Sequence, residues 1–250
     1  MAPEPGKSGR TNCCKGILQF PKEFSIGVTS GPSTVGSTEL YELNFARRAL
    51  RLVKERLGIA HIEKLLQPDI EEGNAFWQAI IAKNTTGQFK PSCINMSVNG
   101  LSPDEFVKRF HLRCAKRIPD MLAAEPEHWV VTSDAENNQM AIKNLGPWIT
   151  RLYIKFGPPS MPWQQKDLRE DFPFRICGHA ESDEGVPLAY ILHQLKPHNV
   201  GVGFDARFCI YFPASAPDEI FEQHRQHLLV EFTNWTRHCY TELKEDNVQV

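Results

Sequence analysis

An α+β fold, with a curved antiparallel sheet wrapped around one long C-terminal helix, is predicted by two features of the 250-residue chain. From Trp129 to Pro213 it is a succession of strand-like runs separated by turn-rich pieces. A single amphipathic helical pattern over about residues 216–241 then closes the chain. Strands in sequence followed by one helix point to an antiparallel sheet with its helix on one face.

The elements follow in order. Residues 1–20 are rich in Pro, Gly and charge, which predicts disorder, and residues 21–250 form one domain with N-terminal helices. A helix from Thr38 to Leu57 carries the stripe Leu40, Leu43, Ala46, Ala49, Leu50 and Val53, and Gly58 ends it. The preceding "GPSTVGST" resembles a phosphate loop but lacks the lysine that meets the phosphates, so no nucleotide site is expected. Cys93 to Val98 alternates as a strand and turns at Asn99-Gly100. Ser102, Pro103 and Glu105 supply an N-cap, a first-turn proline and a capping-box partner for a helix to about Arg117, with Phe106, Val107 and Phe110 inward. "HWVVTSD", "QMAIKNL", "WITRLYIKFG" and "FPFRICGHA" are strands, followed by a long hairpin around Pro197-His198-Asn199. Ser215 is the expected cap of the last helix. The economical arrangement is the helix grip of Bet v 1-like proteins, in which helix and sheet line a cavity.

Composition narrows the partners. With 41% hydrophobic and 23% charged residues and a net charge of −2, the chain reads as an ordinary soluble domain. No basic patch alternates with aromatics, so nucleic acid is not an expected partner. No apolar run approaches the roughly 18 residues of a membrane span, and no secretory signal is visible. Seven cysteines, an odd count without C-x-x-C, predict reduced thiols and a cytoplasmic protein. The oligomeric state is left open.

"HLLVEFTNW", residues 227–235, is the most informative stretch. His227 and Glu231 lie one helical turn apart on the face that carries Ile220, Leu228 and Trp235, beside His224 and His238. A core-facing carboxylate needs a partner, because unpaired burial costs several kcal/mol. His and Glu at this spacing converge on one metal or on one bound molecule. Other candidates are His179 near a strand end and one of His193 and Tyr190, which alternation places on opposite faces of the same strand. His128 and His224 are secondary.

The same stretch resembles the C-terminal helix of the 2,4-diacetylphloroglucinol hydrolase family, phloretin hydrolase-like proteins included. There His-x-x-x-Glu, followed by Phe/Met-Thr-Asn, supplies two zinc ligands. "GVGFDARFCIYFP" is similar to the family's Arg-Ser-Arg-Phe-Trp strand. "INMSVNGLSPDEFVKRF" is similar to its His-Thr-x-Met-Pro-Gly-Val-Thr-Pro-Glu-Met segment, and "PEHW" falls where Pro-Glu-Asp-His supplies a carboxylate. The resemblance covers residues 90–240. It implies His227, Glu231 and Glu127 as zinc ligands, with Glu125 competing for the last place, and a substrate-contacting histidine near His179. The family's fourth ligand, a histidine, is replaced here by Asn95, and its Trp-Trp-Phe wall by "FVKRFH".

An amide oxygen is a poor zinc ligand, so the first expectation is cofactor-free acid/base chemistry on a small hydrophobic aromatic substrate. A phenolic or tropolone-like polyketide would be dehydrated to a quinone methide and cyclised, with His227, Glu231, His179, His193, Asn95 and Tyr190 as candidate groups. This is lyase or cyclase chemistry of secondary metabolism. The alternatives are zinc-dependent hydrolysis of a carbon–carbon bond in an acylated phenol and a carrier for a hydrophobic ligand.

Overall fold

In a computed structural model, residues 36–248 are described apart from Arg117 and Asn137. The segment expected to be disordered, Cys13-Cys14 and most of the glycine-rich loop lie outside them. The chain divides into two compact units, residues 1–43 and 44–250. The sheet and everything below belong to the second unit.

The elements are α1 (Thr38–Lys83), β1 (Phe89–Asn99), α2 (Pro103–Lys116), α3 (Ile118–Ala124), β2 (His128–Ser133), β3 (Gln139–Leu145), β4 (Trp148–Phe156), α4 (Pro162–Lys166), β5 (Phe174–Glu181), β6 (Pro187–Pro197), β7 (Gly203–Pro213) and α5 (Asp218–Val248). Seven antiparallel strands form one sheet in the order β1-β7-β6-β5-β4-β3-β2. Sequential strands are neighbours except β1, which crosses over through α2 and α3 to pair with β7 along its whole length. The fold is Bet v 1-like: strand, two helices, a six-stranded meander and a long C-terminal helix gripped by the sheet.

The core between sheet and α5 is aromatic. Phe106 and Phe110 of α2 meet Phe204 and Phe208 of β7 and Phe232 and Trp235 of α5, and Phe208 stacks on Phe232 at 3.7 Å between centroids. Alternation along β7 sends Phe204, Ala206, Phe208 and Phe212 to this side.

The outer face of the sheet is also covered. Cys177, Tyr190, Leu192, Cys209 and Tyr211 lie under Phe89, Met161, Trp163 and Leu168. Over β2 and β3, Val130 and Ile142 lie under Ile62, Leu66 and Ile70 of α1.

Several local expectations are corrected. Gly58 does interrupt the helix, at φ 67° and ψ 167°, but helix resumes and runs to Lys83. The buried face belongs to this second half, where Ile62, Leu66, Ile70, Gly73, Trp77 and Ile80 recur every three or four residues. Ala46, Ala49 and Val53 of the expected stripe are exposed.

Ser102 caps α2 by accepting the Glu105 N–H at 3.2 Å, whereas the Glu105 carboxylate turns to Arg109 instead of closing the capping box. Ser215 donates to the Ile80 carbonyl and does not cap α5. Cys93 and Cys209 stand opposite each other in the β1–β7 ladder, with Cα atoms 4.2 Å apart, and form a disulfide. Their separation of 116 residues gave no spacing signal, and their pairing removes the premise of reduced thiols from which a cytoplasmic location was inferred. Among the described residues no helix is long and apolar enough to cross a membrane.

The second half of α1 sits directly on β4. Trp77 Nε1 donates to Thr150 Oγ1 at 3.0 Å, and a Cβ at Gly73 would lie 2.1 Å from the Ile149 carbonyl oxygen. Gly73→Ala therefore forces helix and strand apart. The expected cost is about 1–3 kcal/mol, or roughly 2–4 °C of thermal midpoint per kcal/mol. An unchanged midpoint in calorimetry would contradict this contact.

Candidate active site

Five elements bring ionisable groups to one end of the core. α5 contributes His224, His227 and Glu231, the start of β2 contributes His128, β3 contributes Lys143, β6 contributes His193, and the link after α3 contributes Glu125. His128, His193, His224, His227, Glu231 and Glu125 are all buried. Glu231, His128, His193, His224, Lys143 and Gln139 line a cavity of about 60 Å³ whose walls are otherwise apolar.

Three side chains, two of them lining this cavity, converge. His128 Nε2 is 3.3 Å from His227 Nε2 and 3.2 Å from Glu231 Oε1, and His227 Nε2 is 3.8 Å from Glu231 Oε2.

The ring nitrogens on the far sides decide what this means. His128 Nδ1 lies 3.3 Å from the Met121 carbonyl, which only accepts. Burial holds the His128 pKa below its ordinary value. Its Nε2 stands between Glu231 Oε1, which also only accepts, and His227 Nε2.

His227 Nδ1 faces two carboxylates, Glu127 Oε2 at 3.7 Å and Glu125 Oε2 at 4.0 Å. Neither lies within hydrogen-bond distance, and Nδ1 is buried without a hydrogen-bond partner. Burial pushes the Glu231 carboxyl upward, but Lys143 and the contact with His128 outweigh it and hold the carboxyl well below the usual range. Two imidazole nitrogens and a carboxylate thus meet at one point, where a metal ion or shared protons can join them.

The donor set fits a metal. Zinc bonds of about 2.0–2.1 Å in a tetrahedron put ligand atoms about 3.3–3.4 Å apart, close to the distances found. A ligating imidazole also characteristically donates its other N–H to a carbonyl or carboxylate, and the Met121 carbonyl stands at that place for His128.

The remaining groups are tuned differently. His193 Nδ1 accepts the Cys209 N–H at 3.1 Å, so Nε2 carries the proton. Burial pushes its pKa down to about 3, leaving a neutral donor. His224, stacked beside His227 at 5.4 Å, is pushed well below its ordinary value, first by burial and then by His227. Glu125 Oε1 accepts the Glu127 N–H, whereas Oε2 is buried without a hydrogen-bond partner. Burial, with repulsion from Glu231 and Glu127, raises the Glu125 pKa to about 7.

Of the sequence-predicted residues, His227, Glu231 and His193 lie together. Asn95 does not join them. It is exposed on the outer side of edge strand β1, opposite Arg207, while Ile94, Met96 and Val98 pack against the core. Tyr190 and His179 lie on the outer face, Tyr190 against Phe89 and Trp163 and His179 paired with Glu181 at 2.9 Å. Between His193 and Tyr190 the strand's alternation thus selects His193.

Glu127 has a side chain 52% exposed and stands behind His227. Its neighbour His128 points inward, because adjacent residues entering a strand face opposite ways. Sequence reasoning missed Lys143, although alternation of Gln139, Ala141, Lys143 and Leu145 was readable.

No family model matches the sequence, and no curated protein matches it. Among solved structures the chain is similar to Ara h 8.0201, with a TM-score of 0.42 and 10% identity over 61% of this chain and 99% of that one.

The raised Glu125 pKa has a thermodynamic consequence. The folded protein holds this proton more tightly than the unfolded chain, whose carboxyl titrates near its ordinary 4.5. The stability it contributes is complete below about pH 4.5 and is lost as pH rises through about 7, by up to roughly 3 kcal/mol. Glu125→Gln should remove this slope in urea titrations between pH 4.5 and 8. Parallel profiles for the two proteins would place the carboxyl at its ordinary value.

Proposed function

We propose that this protein is an enzyme acting on a small hydrophobic aromatic molecule, with a divalent metal, zinc first, held by His128, His227 and Glu231. The observation that carries the proposal is the convergence of two imidazole nitrogens on a buried carboxylate held well below its usual range. A metal at that point would supply Lewis acidity, polarising a carbonyl or activating water.

The chain's own groups do the rest. His193 offers its Nε2 proton to a substrate oxygen or to a carbon that must be protonated. Lys143 adds positive charge beside Glu231, and Phe110, Phe156 and Trp235 supply an apolar wall. Glu125 and Glu127 place carboxylates behind His227 Nδ1, at 4.0 and 3.7 Å.

Hydrolysis of a carbon–carbon bond in an acylated phenol, the chemistry implied by the hydrolase resemblance, suits this set. The exposed position of Asn95 removes the objection that a ligand has been lost there. A space of about 60 Å³ holds a few water molecules, so a ring-sized substrate must displace lining side chains.

A second reading, metal-free dehydration and cyclisation of a phenolic or tropolone-like substrate, is favoured by Glu125. A buried carboxyl titrating near neutrality can both give and take a proton. A passive carrier has no use for buried charge of this density.

Metal analysis separates these readings. Purified protein should hold about one zinc per chain, and His128→Ala and Glu231→Gln should abolish uptake. Glu127→Gln should weaken it about 10- to 100-fold, and Asn95→Ala should leave it unchanged. Protein that turns over phenolic substrates without metal, at a rate that chelators do not alter, would defeat the metal proposal in favour of acid/base chemistry.

A further inference from the structure

The link carrying Glu125, Glu127 and His128, residues 123–128, is held in place by side chains from distant elements. Arg47 Nη1 donates to the Ala123 carbonyl at 3.2 Å and Asn234 Nδ2 to the Ala124 carbonyl at 2.8 Å. Lys54 Nζ donates to two carbonyls, Pro126 at 2.8 Å and His128 at 2.5 Å. The same ammonium lies 5.1 Å from the centre of the Trp129 ring.

Arg47 and Lys54 both come from the first half of α1, which otherwise exposes much of its apolar surface. Lys54 is itself partly desolvated. Burial lowers its pKa to about 8, partly offset by Glu125.

We propose that Lys54 is a positioning residue for His128, so that the first half of α1 is a working part of the active site and not an appendage of the fold. The inference rests on the reading of His128 as a ligand at that site. One ammonium bridging the carbonyls of residues 126 and 128 fixes the backbone on both sides of Glu127 and at the root of His128. It thereby sets the direction of the imidazole, whose own tether is a 3.3 Å contact with Met121. Hydrogen bonds from a charged donor are about twice as strong as neutral ones, and a supporting shell that is off by about an ångström is enough to spoil a site.

The test uses the full chain as wild type, Lys54→Met, which keeps length and apolar bulk without donors, and Lys54→Arg, which keeps charge and donors. Nitrogen-15 NMR of the histidine rings should show His128 in one and the same tautomer in wild type and Lys54→Arg, and in mixed tautomers in Lys54→Met. Cobalt(II) affinity should fall about 10- to 100-fold in Lys54→Met and stay within a few-fold of wild type in Lys54→Arg. Thermal midpoints of the metal-free proteins separate this effect from general destabilisation. If Lys54→Met fails to fold, Lys54→Gln, which keeps a neutral donor, is judged by the same criteria.

An unaltered His128 tautomer together with wild-type cobalt affinity in the donor-poor variant would overturn the inference. Wild-type protein that takes up no cobalt would defeat the metal proposal, and the tautomer measurement alone would then decide the role of Lys54.

Discussion

The Glu231 carboxylate sets the terms for the interior. It lies on the buried side of α5 among Leu228, Phe232 and Trp235, where a lone charge would cost several kcal/mol. Its compensation comes from three other places: His227 one turn earlier on the same helix, His128 at the first position of β2, and Lys143 on the inward face of β3. Each arrives through a different rule of backbone geometry. Helical pitch places His227, the transition from link to strand places His128, and alternation places Lys143. Moving any of these elements by one residue would leave the carboxylate without part of its compensation, so the chemistry of the site and the register of the sheet are one constraint.

The sheet can serve this constraint because it is covered on both faces near the site, although Asn95 on edge strand β1 stays exposed. The inner face meets α5 and α2 through stacked aromatics, while the outer face lies under α1 at one end and under the α4 region at the other. A sheet backed by water on one side could hold its hydrogen-bonded ladder but would screen the charges behind it more strongly. Covering the outer face lowers the effective dielectric behind β2 and β3. That strengthens the pull of Lys143 on Glu231 and the desolvation that lowers the pKa of His128 and His193.

Much of this was legible in the sequence. The meander, the hairpin around Pro197-His198-Asn199 and the last helix announced themselves through alternation and helical periodicity. The pairing of His227 with Glu231 followed from the need to compensate a core-facing carboxylate. What escaped depended on register or on tertiary contact. Glu127 and His128 differ by one position, and only the exact start of β2 decides which enters the core. Asn95 and Tyr190 were placed at the site without a sheet to say which face they occupy. The second half of α1 carries Pro68 and Gly73, which weaken a helical pattern in isolation, yet Gly73 is required by the close passage of the β4 backbone. Cys93 and Cys209 are neighbours only because β1 crosses over to β7.

The interruption at Gly58 gives α1 two jobs that a straight rod could not combine. The half after it is locked to β4 by Gly73 and by the Trp77–Thr150 hydrogen bond, and so is anchored to the scaffold. The half before it must leave that line to carry Arg47 and Lys54 over the link between α3 and β2. No side chain crowds Gly58, and nothing lies within 4 Å of where its Cβ would stand. What matters is its torsion, a positive φ that L-residues with side chains avoid. One pair of backbone angles thus aims a lysine at a histidine more than seventy residues along the chain, and the aim of that lever depends on the residue with the least side chain of all.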